Sequence, residues 1–154
     1  MSIYLKSKDL QGNITAKGHE KSIEVHHLNF EVNRAAQMTV GENYIRNPNK
    51  PDLSVVNFSK SIDSSSNTLF ELACTGKVIN QVQFSVNRTG QSLESYVEYI
   101  LHNVMVTHFS NSSTDSNLPS ENVSFTYSRL EIHYLGDGHS PMRSSYDLKQ
   151  AALV

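Results

Sequence analysis

The stretch Ile62 to Asn87 joins a short helix pattern to a strand pattern, with a sharp stop between them. The side-chain oxygens of residues 63–66 can bind the free N–H groups of a first helical turn, and Thr68 with Glu71 has capping-box spacing. Gly76 supplies the left-handed residue that commonly ends a helix. The sequence therefore predicts one flanking helix at about residues 63–75. No other part of the chain carries so clear a helix pattern.

The apolar face of this helix is wide. At 100° per residue its apolar positions cover an arc of roughly 200°, whereas a helix lying on one surface needs a stripe of roughly 100°. We therefore expect the helix to contact more than one surface. The only cysteine lies in this arc, so we expect a buried, unreactive thiol and no disulfide within the chain. The apolar positions are Leu69, Phe70, Leu72, Ala73 and Cys74.

Alternating patterns predict short strands in the rest of the chain. In residues 78–87 the apolar face holds Val78, Val82, Phe84 and Val86, and the polar face holds Gln81, Gln83, Ser85 and Asn87. Similar patterns cover residues 3–5, 23–32, 53–58 and 123–135. The inward parity switches at His26 and His27, and again near Ser128 and Arg129, which predicts a β-bulge at each point. In the first of these strands, parity directs Leu28, Phe30 and Val32 to the core and Asn29 and Glu31 to the opposite face.

The longest extended run, residues 96–109, is apolar on both faces. One face holds Val97, Tyr99, Leu101, Met105 and Phe109, and the other holds Tyr96, Ile100, Val104 and Val106. A strand that is apolar on both faces is covered on both. Because one helix cannot cover a whole outer surface, we expect the second group to meet another subunit.

These elements predict a mainly β fold of about seven or eight strands, closed or nearly closed into a β-barrel of two packed sheets with the helix on its flank. We assign residues 1–135 to the barrel domain and residues 136–154 to a C-terminal tail that packs on the barrel or on a neighbouring subunit. The loop 33–52 and the tail are long and carry a few apolar anchors. We expect these anchors to contact neighbouring subunits or rings: Met38, Val40, Tyr44 and Ile45 in the loop, and Met142, Tyr146 and Leu148 in the tail.

Composition argues against several functions. The 13 basic and 15 acidic residues are spread without blocks, which argues against nucleic acid as a partner. No segment approaches the roughly 20 apolar residues that span a bilayer, so we expect a soluble cytoplasmic chain without membrane insertion. His102 and His108 share a strand face but lie about 20 Å apart in extended chain, too far to bind one ion. No catalytic motif is present, and we predict no metal, no cofactor and no enzymatic activity.

Several segments, taken in order, resemble the Hcp family, the inner-tube proteins of the bacterial type VI secretion system. The resemblance covers nearly the whole chain. It lies in Ile3-Tyr4-Leu5-Lys6 with Gly12, Lys17-Gly18-His19, Ile23-Glu24-Val25, Ser59-Lys60-Ser61-Ile62-Asp63, Leu69 to Lys77, Glu121 to Tyr127 leading to Tyr134, and Tyr146-Asp147-Leu148-Lys149. Leu28 and Phe30 stand where some members carry tryptophan, and the loop 33–52 has its own sequence.

The resemblance implies hexameric rings that stack into a hollow tube, which a contractile sheath propels together with spike and baseplate proteins. It also implies effector proteins as cargo in the lumen, and a protein that is cytoplasmic when assembled and then secreted without an N-terminal signal peptide. Because the resemblance places the bulged strand along the inner wall, Asn29 and Glu31 become the lumen candidates. Three alternatives remain open from the residues: a bacteriophage-type tail-tube protein, a ligand-binding barrel and a monomeric barrel.

Overall fold

A computed structural model describes residues 1–35, 50–89, 94–136 and 140–154. In chain order the elements are β1 (Ser2–Lys6), β2 (Ile23–Val25), β3 (His27–Asn29), β4 (Val32–Asn33), β5 (Asp52–Leu53), β6 (Val56–Ser61), α1 (Ser66–Thr75), β7 (Ile79–Asn87), β8 (Ser95–Ser112), β9 (Ser120–Thr126), β10 (Arg129–Tyr134), β11 (Met142–Asp147) and β12 (Ala152–Leu153). The predicted mainly β fold with one helix is confirmed for the described residues, but they form twelve strands where seven or eight were predicted.

Apart from a separate pair formed by β4 and β5, the strands form two sheets that share β8, and all pairings are antiparallel. The long sheet has the order β12-β11-β10-β8-β7-β1-β2, and the short sheet has the order β3-β6-β9-β8. The N-terminal half of β8 pairs with β10, and its C-terminal half pairs with β9. The two sheets enclose a common core. Among the described strands the sheet does not close into a barrel, and the corner between β2 and β3 is held by the His26 N–H, which donates to the Ser59 carbonyl of β6 at 2.8 Å.

Both predicted parity changes are present, and they mark crossings between the sheets. His26 and His27 are both exposed, and the chain passes there from β2 in the long sheet to β3 in the short sheet. The second change separates β9 from β10, which also lie in different sheets. An extra residue turns the strand at each point. The prediction that Val32 points into the core is wrong, however, because that side chain is 56% exposed.

A third parity change, which the sequence analysis missed, lies within β8. Asn103 has a φ of 52°, the left-handed conformation that Asn tolerates better than most residues. As a result Leu101 and Val104, three residues apart, both point into the core, where they face Val82 and Ile79 of β7. The predicted division of this strand into two faces is therefore wrong for residues 104–106. A second irregularity, between Val106 and His108, returns Phe109 to the core side, where it was predicted.

The core contains the inward residues of both sheets and one side of the helix. Phe58, Phe84 and Phe125 form its aromatic centre, with ring centroids 4.9–6.2 Å apart. Leu69 and Leu72 close it from α1. Full burial of side chains of this size stabilises the fold by roughly 1.5–3 kcal/mol each.

The helix begins at Ser66 and ends at the left-handed Gly76, as predicted for its C-terminus. Its N-cap is Ser65, which lies within the predicted run 63–66 and excludes the alternative start at Thr68. Ser65 makes no side-chain capping bond, but its own N–H donates to Asp63 Oδ1 at 2.9 Å. Cys74 is exposed, so the prediction of a buried thiol is wrong. Phe70 is also 56% exposed. The helix thus buries only part of its wide apolar arc.

The C-terminal residues extend the long sheet. Strand β11 pairs with β10 along its whole length, from Arg129 opposite Asp147 to Tyr134 opposite Met142. A turn in which Asp147 accepts backbone hydrogen bonds from Lys149 and Gln150 then leads to β12. The described part of the tail is therefore part of the sheet.

Candidate functional site

Apart from Met105, which lies opposite Thr126 at one end, the outward face of the short sheet carries small polar side chains and histidines. Cross-strand registers align them in two rows that run across all four strands. We call this surface the polar face. One row is Asn29, Asn57, Ser124 and His108, and the other is His27, Ser59, Asn122 and Ser110.

The polar face is uncharged apart from its histidines because the strands turn their charges inward. Strands β3, β6 and β9, with residues 105–112 of β8, contain two side chains of the Asp, Glu, Lys and Arg types, namely Lys60 and Glu121. Both are fully buried and lie opposite each other in the ladder, with Lys60 Nζ 2.9 Å from Glu121 Oε1. The outward face of the long sheet differs, because it presents charged residues such as Glu98, Arg129 and Glu131.

Hydrogen bonds hold parts of the polar face in place. Ser124 donates its hydroxyl hydrogen to Asn57 Oδ1. At the edge, His26 Nε2 lies 2.9 Å from Ser61 Oγ. A depression of about 360 Å³ lies over the centre, between His27 and His108. The face therefore offers hydroxyl, amide and imidazole groups that can both donate and accept hydrogen bonds.

The two lumen candidates occupy different positions. Asn29 is exposed and belongs to the polar face. Glu31 is exposed beyond the end of β3, where its N–H donates to Ser54 Oγ at 2.9 Å and its carboxylate accepts from Asn33 Nδ2 at 3.1 Å. The alternation of side chains along one strand was enough to predict that Asn29 points outward. The other residues of the polar face could be identified only from the register between strands.

Three of the inter-subunit candidates on β8 are wrong. Val104 and Val106 are 0% and 3% exposed in the core of a single chain, and Ile100 is only 9% exposed. The left-handed Asn103 is the reason for the first two, since it exchanges the faces of the strand. These residues offer almost no surface to a neighbour.

The other inter-subunit candidates lie at the surface or outside the described residues. Tyr96 is half-buried and meets Tyr134 edge-on at 5.3 Å. On the C-terminal hairpin, Tyr146 is half-buried and Leu148 is 39% exposed. Met38, Val40, Tyr44 and Ile45 all fall within residues 36–49, which lie outside the described part of the chain.

The structure adds an apolar surface that the candidates did not include. Phe70 of α1 meets Phe109 of β8 with ring centroids 6.1 Å apart, and Cys74 is exposed one helical turn further along. We call Phe70, Cys74 and Phe109 the helix patch. The wide apolar arc of the helix was the sequence signal for it.

The described residues contain no group of three or more His, Cys, Asp or Glu side chains placed to hold a metal ion. None of their helices has the length and apolar character needed to cross a membrane.

The fold and the polar face define a barrel-like β-domain that presents a hydrogen-bonding sheet surface. A family model described as "Type VI secretion system effector, Hcp" matches residues 4–134. The chain therefore belongs to the Hcp family of secreted, structural tube proteins of type VI secretion.

Solved structures agree with this family in fold. Hcp1 from Salmonella typhimurium is 21% identical with a TM-score of 0.85, and the match covers 99% of this chain and 98% of that one. A structure described as a type six secretion system protein is 20% identical with a TM-score of 0.90, covering 99% of each chain. A type VI secretion system effector from Yersinia pestis is 20% identical with a TM-score of 0.79, covering 94% and 98%. No curated protein sequence shows a significant match.

Proposed function

We propose that the chain is a tube subunit that forms hexameric rings, that the rings stack, and that the polar face lines the lumen and holds effector proteins. The observation that carries this proposal is the uncharged polar face, which extends over four strands while both acidic and basic side chains of those strands are turned inward. Membership of the family supports the tube role. The protein acts by shape and association, without catalysis.

An uncharged face suits a carrier that must release its load. A neutral hydrogen bond to a partner replaces one to water, so each contributes only about 0.5–1.5 kcal/mol net. Several such bonds hold a folded protein weakly and reversibly. A charged wall would instead retain cargo of opposite charge and repel cargo of like charge. Asn29 stays the leading lumen residue, and Glu31, at the end of β3, is the second.

Ring closure needs two different surfaces on each subunit, because a head-to-tail contact of this kind can close into a ring. The helix patch is one proposed surface. Tyr96, Tyr146 and Leu148 remain proposed contacts. Exposed apolar groups such as Phe70 lose unfavourable contact with water when a neighbour covers them.

The remaining assignments follow from the same role. The loop 33–52, with Met38, Val40, Tyr44 and Ile45, and the tail from residue 136 make contacts between neighbouring subunits or rings. The tube meets the contractile sheath, spike and baseplate proteins. It is cytoplasmic when assembled and is then secreted, and it uses no nucleic acid, membrane or cofactor.

The test of assembly is the mass in solution by light scattering, followed by electron microscopy for rings. Six times the chain mass of 17.3 kDa and ring-shaped particles are expected. A strictly monomeric mass at micromolar concentration would contradict the proposal.

The test of the lumen uses Asn29→Arg, which places a cation on the polar face. Asn117→Arg is the matched control, because Asn117 is exposed in the loop before β9 and outside the polar face. Both variants should form rings of unchanged mass, and only Asn29→Arg should reduce the amount of effector that co-purifies. Undiminished co-purification of every associated effector would remove Asn29 from the lumen.

A further inference from the structure

A cleft of about 660 Å³ lies between the end of β1, the segment that precedes β2, and the start of β7. Three lysines line it, namely Lys6, Lys8 and Lys21. None of the three forms a salt bridge with a described residue. Four side-chain amides also line the cleft: Gln11, Asn80, Gln81 and Gln83. The cleft lies on the long sheet, whereas the polar face belongs to the short sheet. The proposed tube role does not assign a function to the cleft.

The segment that forms one wall of the cleft is fixed to the fold. Leu10 is fully buried, and the Gly12 N–H donates to the Lys21 carbonyl at 2.9 Å. Gly12 is required there, because a Cβ atom would lie 2.3 Å from the Ser22 carbonyl oxygen. Lys6 ends β1, directly opposite Gln83 of β7. A wall held in this way loses little conformational freedom when a ligand binds.

Two carboxylates also line the cleft, Asp9 and Glu20. Glu20 accepts a hydrogen bond from the Gly18 N–H at 3.0 Å, so one of its carboxylate oxygens already has a partner within the same turn. With three lysines and two carboxylates the cleft carries a net charge of +1, whereas the whole chain carries −2. The cleft is thus a basic site on an acidic protein.

We propose that this cleft binds an acidic polypeptide segment. Lysine ammonium groups pair with its carboxylates, and the side-chain amides, which both donate and accept, pair with its peptide groups. A nucleic acid is the weaker fit, because phosphates only accept hydrogen bonds and leave the oxygen atoms of the four side-chain amides without a donor.

An adjoining cavity favours a polypeptide further. It has a volume of about 440 Å³, shares Asp9 and Asn80 with the cleft, and continues along α1. Leu72 and Val78 line it, and Val78 is 52% exposed. A peptide bound to the lysines can extend into this cavity and place an apolar side chain against Val78.

The experiment is fluorescence anisotropy of a labelled hexaglutamate peptide with the full chain. Each of Lys6→Gln, Lys8→Gln and Lys21→Gln should weaken binding roughly 2- to 5-fold, the effect of one exposed ion pair, and the triple variant more. Lys149→Gln, which removes the same charge outside the cleft, should leave the affinity unchanged. Binding should weaken as salt rises. Adding leucine to the peptide should strengthen binding to the natural chain and not to Val78→Ser.

Four results would overturn the proposal. They are no binding of hexaglutamate at millimolar concentration, equal binding of hexaglutamine, tighter binding of a six-residue thymidine oligonucleotide, and equal affinity of the triple variant and Lys149→Gln. Circular dichroism of each variant establishes that it is folded. None of these measurements depends on ring formation or on effector carriage.

Discussion

Lys60 and Glu121 form a fully buried ion pair across β6 and β9, with Nζ 2.9 Å from Oε1. Asp63 lies 3.0 Å from the same ammonium group, and Ser66, at the first position of α1, bonds to both Lys60 and Glu121. The pair thereby ties the short sheet to the start of the helix. It also removes the charges of both strands from the polar face.

The first prediction concerns this pair. Lys60→Met should lower the free energy of unfolding by about 3–5 kcal/mol, because it leaves the buried Glu121 carboxylate without a cation. Glu121→Leu should cost less, because Lys60 keeps Asp63 at 3.0 Å as a partner. The double variant should lose less than the sum of the two. Urea denaturation of all four chains measures this coupling, and additive losses would show that the pair does not act as a unit.

The sequence could predict elements whose signal is local. The alternation of Val82, Phe84 and Val86, the stop at Gly76 and the parity switch at His26 all lie within short windows, and the structure confirms them. Val78, predicted on the apolar face of residues 78–87, is wrong, because it precedes β7 and is 52% exposed. The change of parity at Asn103 could not be predicted, because Asn residues adopt many backbone conformations. The left-handed conformation is selected here by the pairing of β8 with strands of both sheets. That one residue accounts for the error at Val104 and Val106.

The candidate site was also predictable only where its signal was local. Alternation along one strand placed Asn29 on an outward face, but it could not show that Asn57, Ser124 and His108 lie beside it. Those neighbours come from strands far apart in the chain, and register between distant strands is fixed by the packed core. Cys74 shows the same limit for a helix, because its wide apolar arc did not reveal which side would be buried.

The second prediction compares two neighbouring residues of α1. Leu69→Ala should destabilise the chain by about 2–5 kcal/mol, since it opens a cavity under a fully buried side chain. Phe70→Ala should cost under about 1 kcal/mol in the monomer, because the ring is largely exposed and the large penalties belong to buried sites. Thermal unfolding measures both effects, and similar losses would contradict the assignment of faces.

The third prediction tests the helix patch in assembly. Phe70→Asp should lower the mass of the assembled particle by placing a charge where a neighbour would be apolar, while the chain stays folded. Glu71→Gln changes charge at the adjacent exposed position and should leave the mass unchanged. Light scattering at several concentrations makes the comparison. An unaltered mass for Phe70→Asp would remove the patch from the interface.

The fourth prediction concerns Gly12. Gly12→Ala should destabilise the chain by about 1–3 kcal/mol, because its methyl group would overlap the Ser22 carbonyl oxygen and the backbone must shift. Gly18→Ala is the matched control. Gly18 has a φ of 84° and no atoms within 4 Å of an added Cβ, so only the left-handed backbone is penalised there, by roughly 1–2 kcal/mol. Urea denaturation should rank Gly12→Ala as the more damaging, and the reverse order would contradict the close approach.

The fifth prediction concerns pH and the outward face of the long sheet. Glu131 lies 2.9 Å from His102 Nε2 and 3.2 Å from Arg129 Nη2. Burial by itself raises the pKa of the Glu131 carboxyl, but the hydrogen bond with His102 and the charge of Arg129 outweigh it and hold that pKa below its usual range. A carboxyl whose pKa is lower in the folded state stabilises the fold above its unfolded pKa, about 4.3, and the stabilisation disappears as pH falls through the folded value.

Glu131→Gln should therefore lower the free energy of unfolding at pH 7 by an amount on the order of 1 kcal/mol. The gap between the natural chain and the variant should narrow as pH falls below about 4.3 and should close in stronger acid. Glu24→Gln, at an exposed position of the same sheet, should change stability by less than about 0.5 kcal/mol at pH 7. Urea denaturation from pH 7 down to pH 3 measures these differences. A gap for Glu131→Gln that stayed constant over this range would show that its carboxylate charge contributes nothing to the fold.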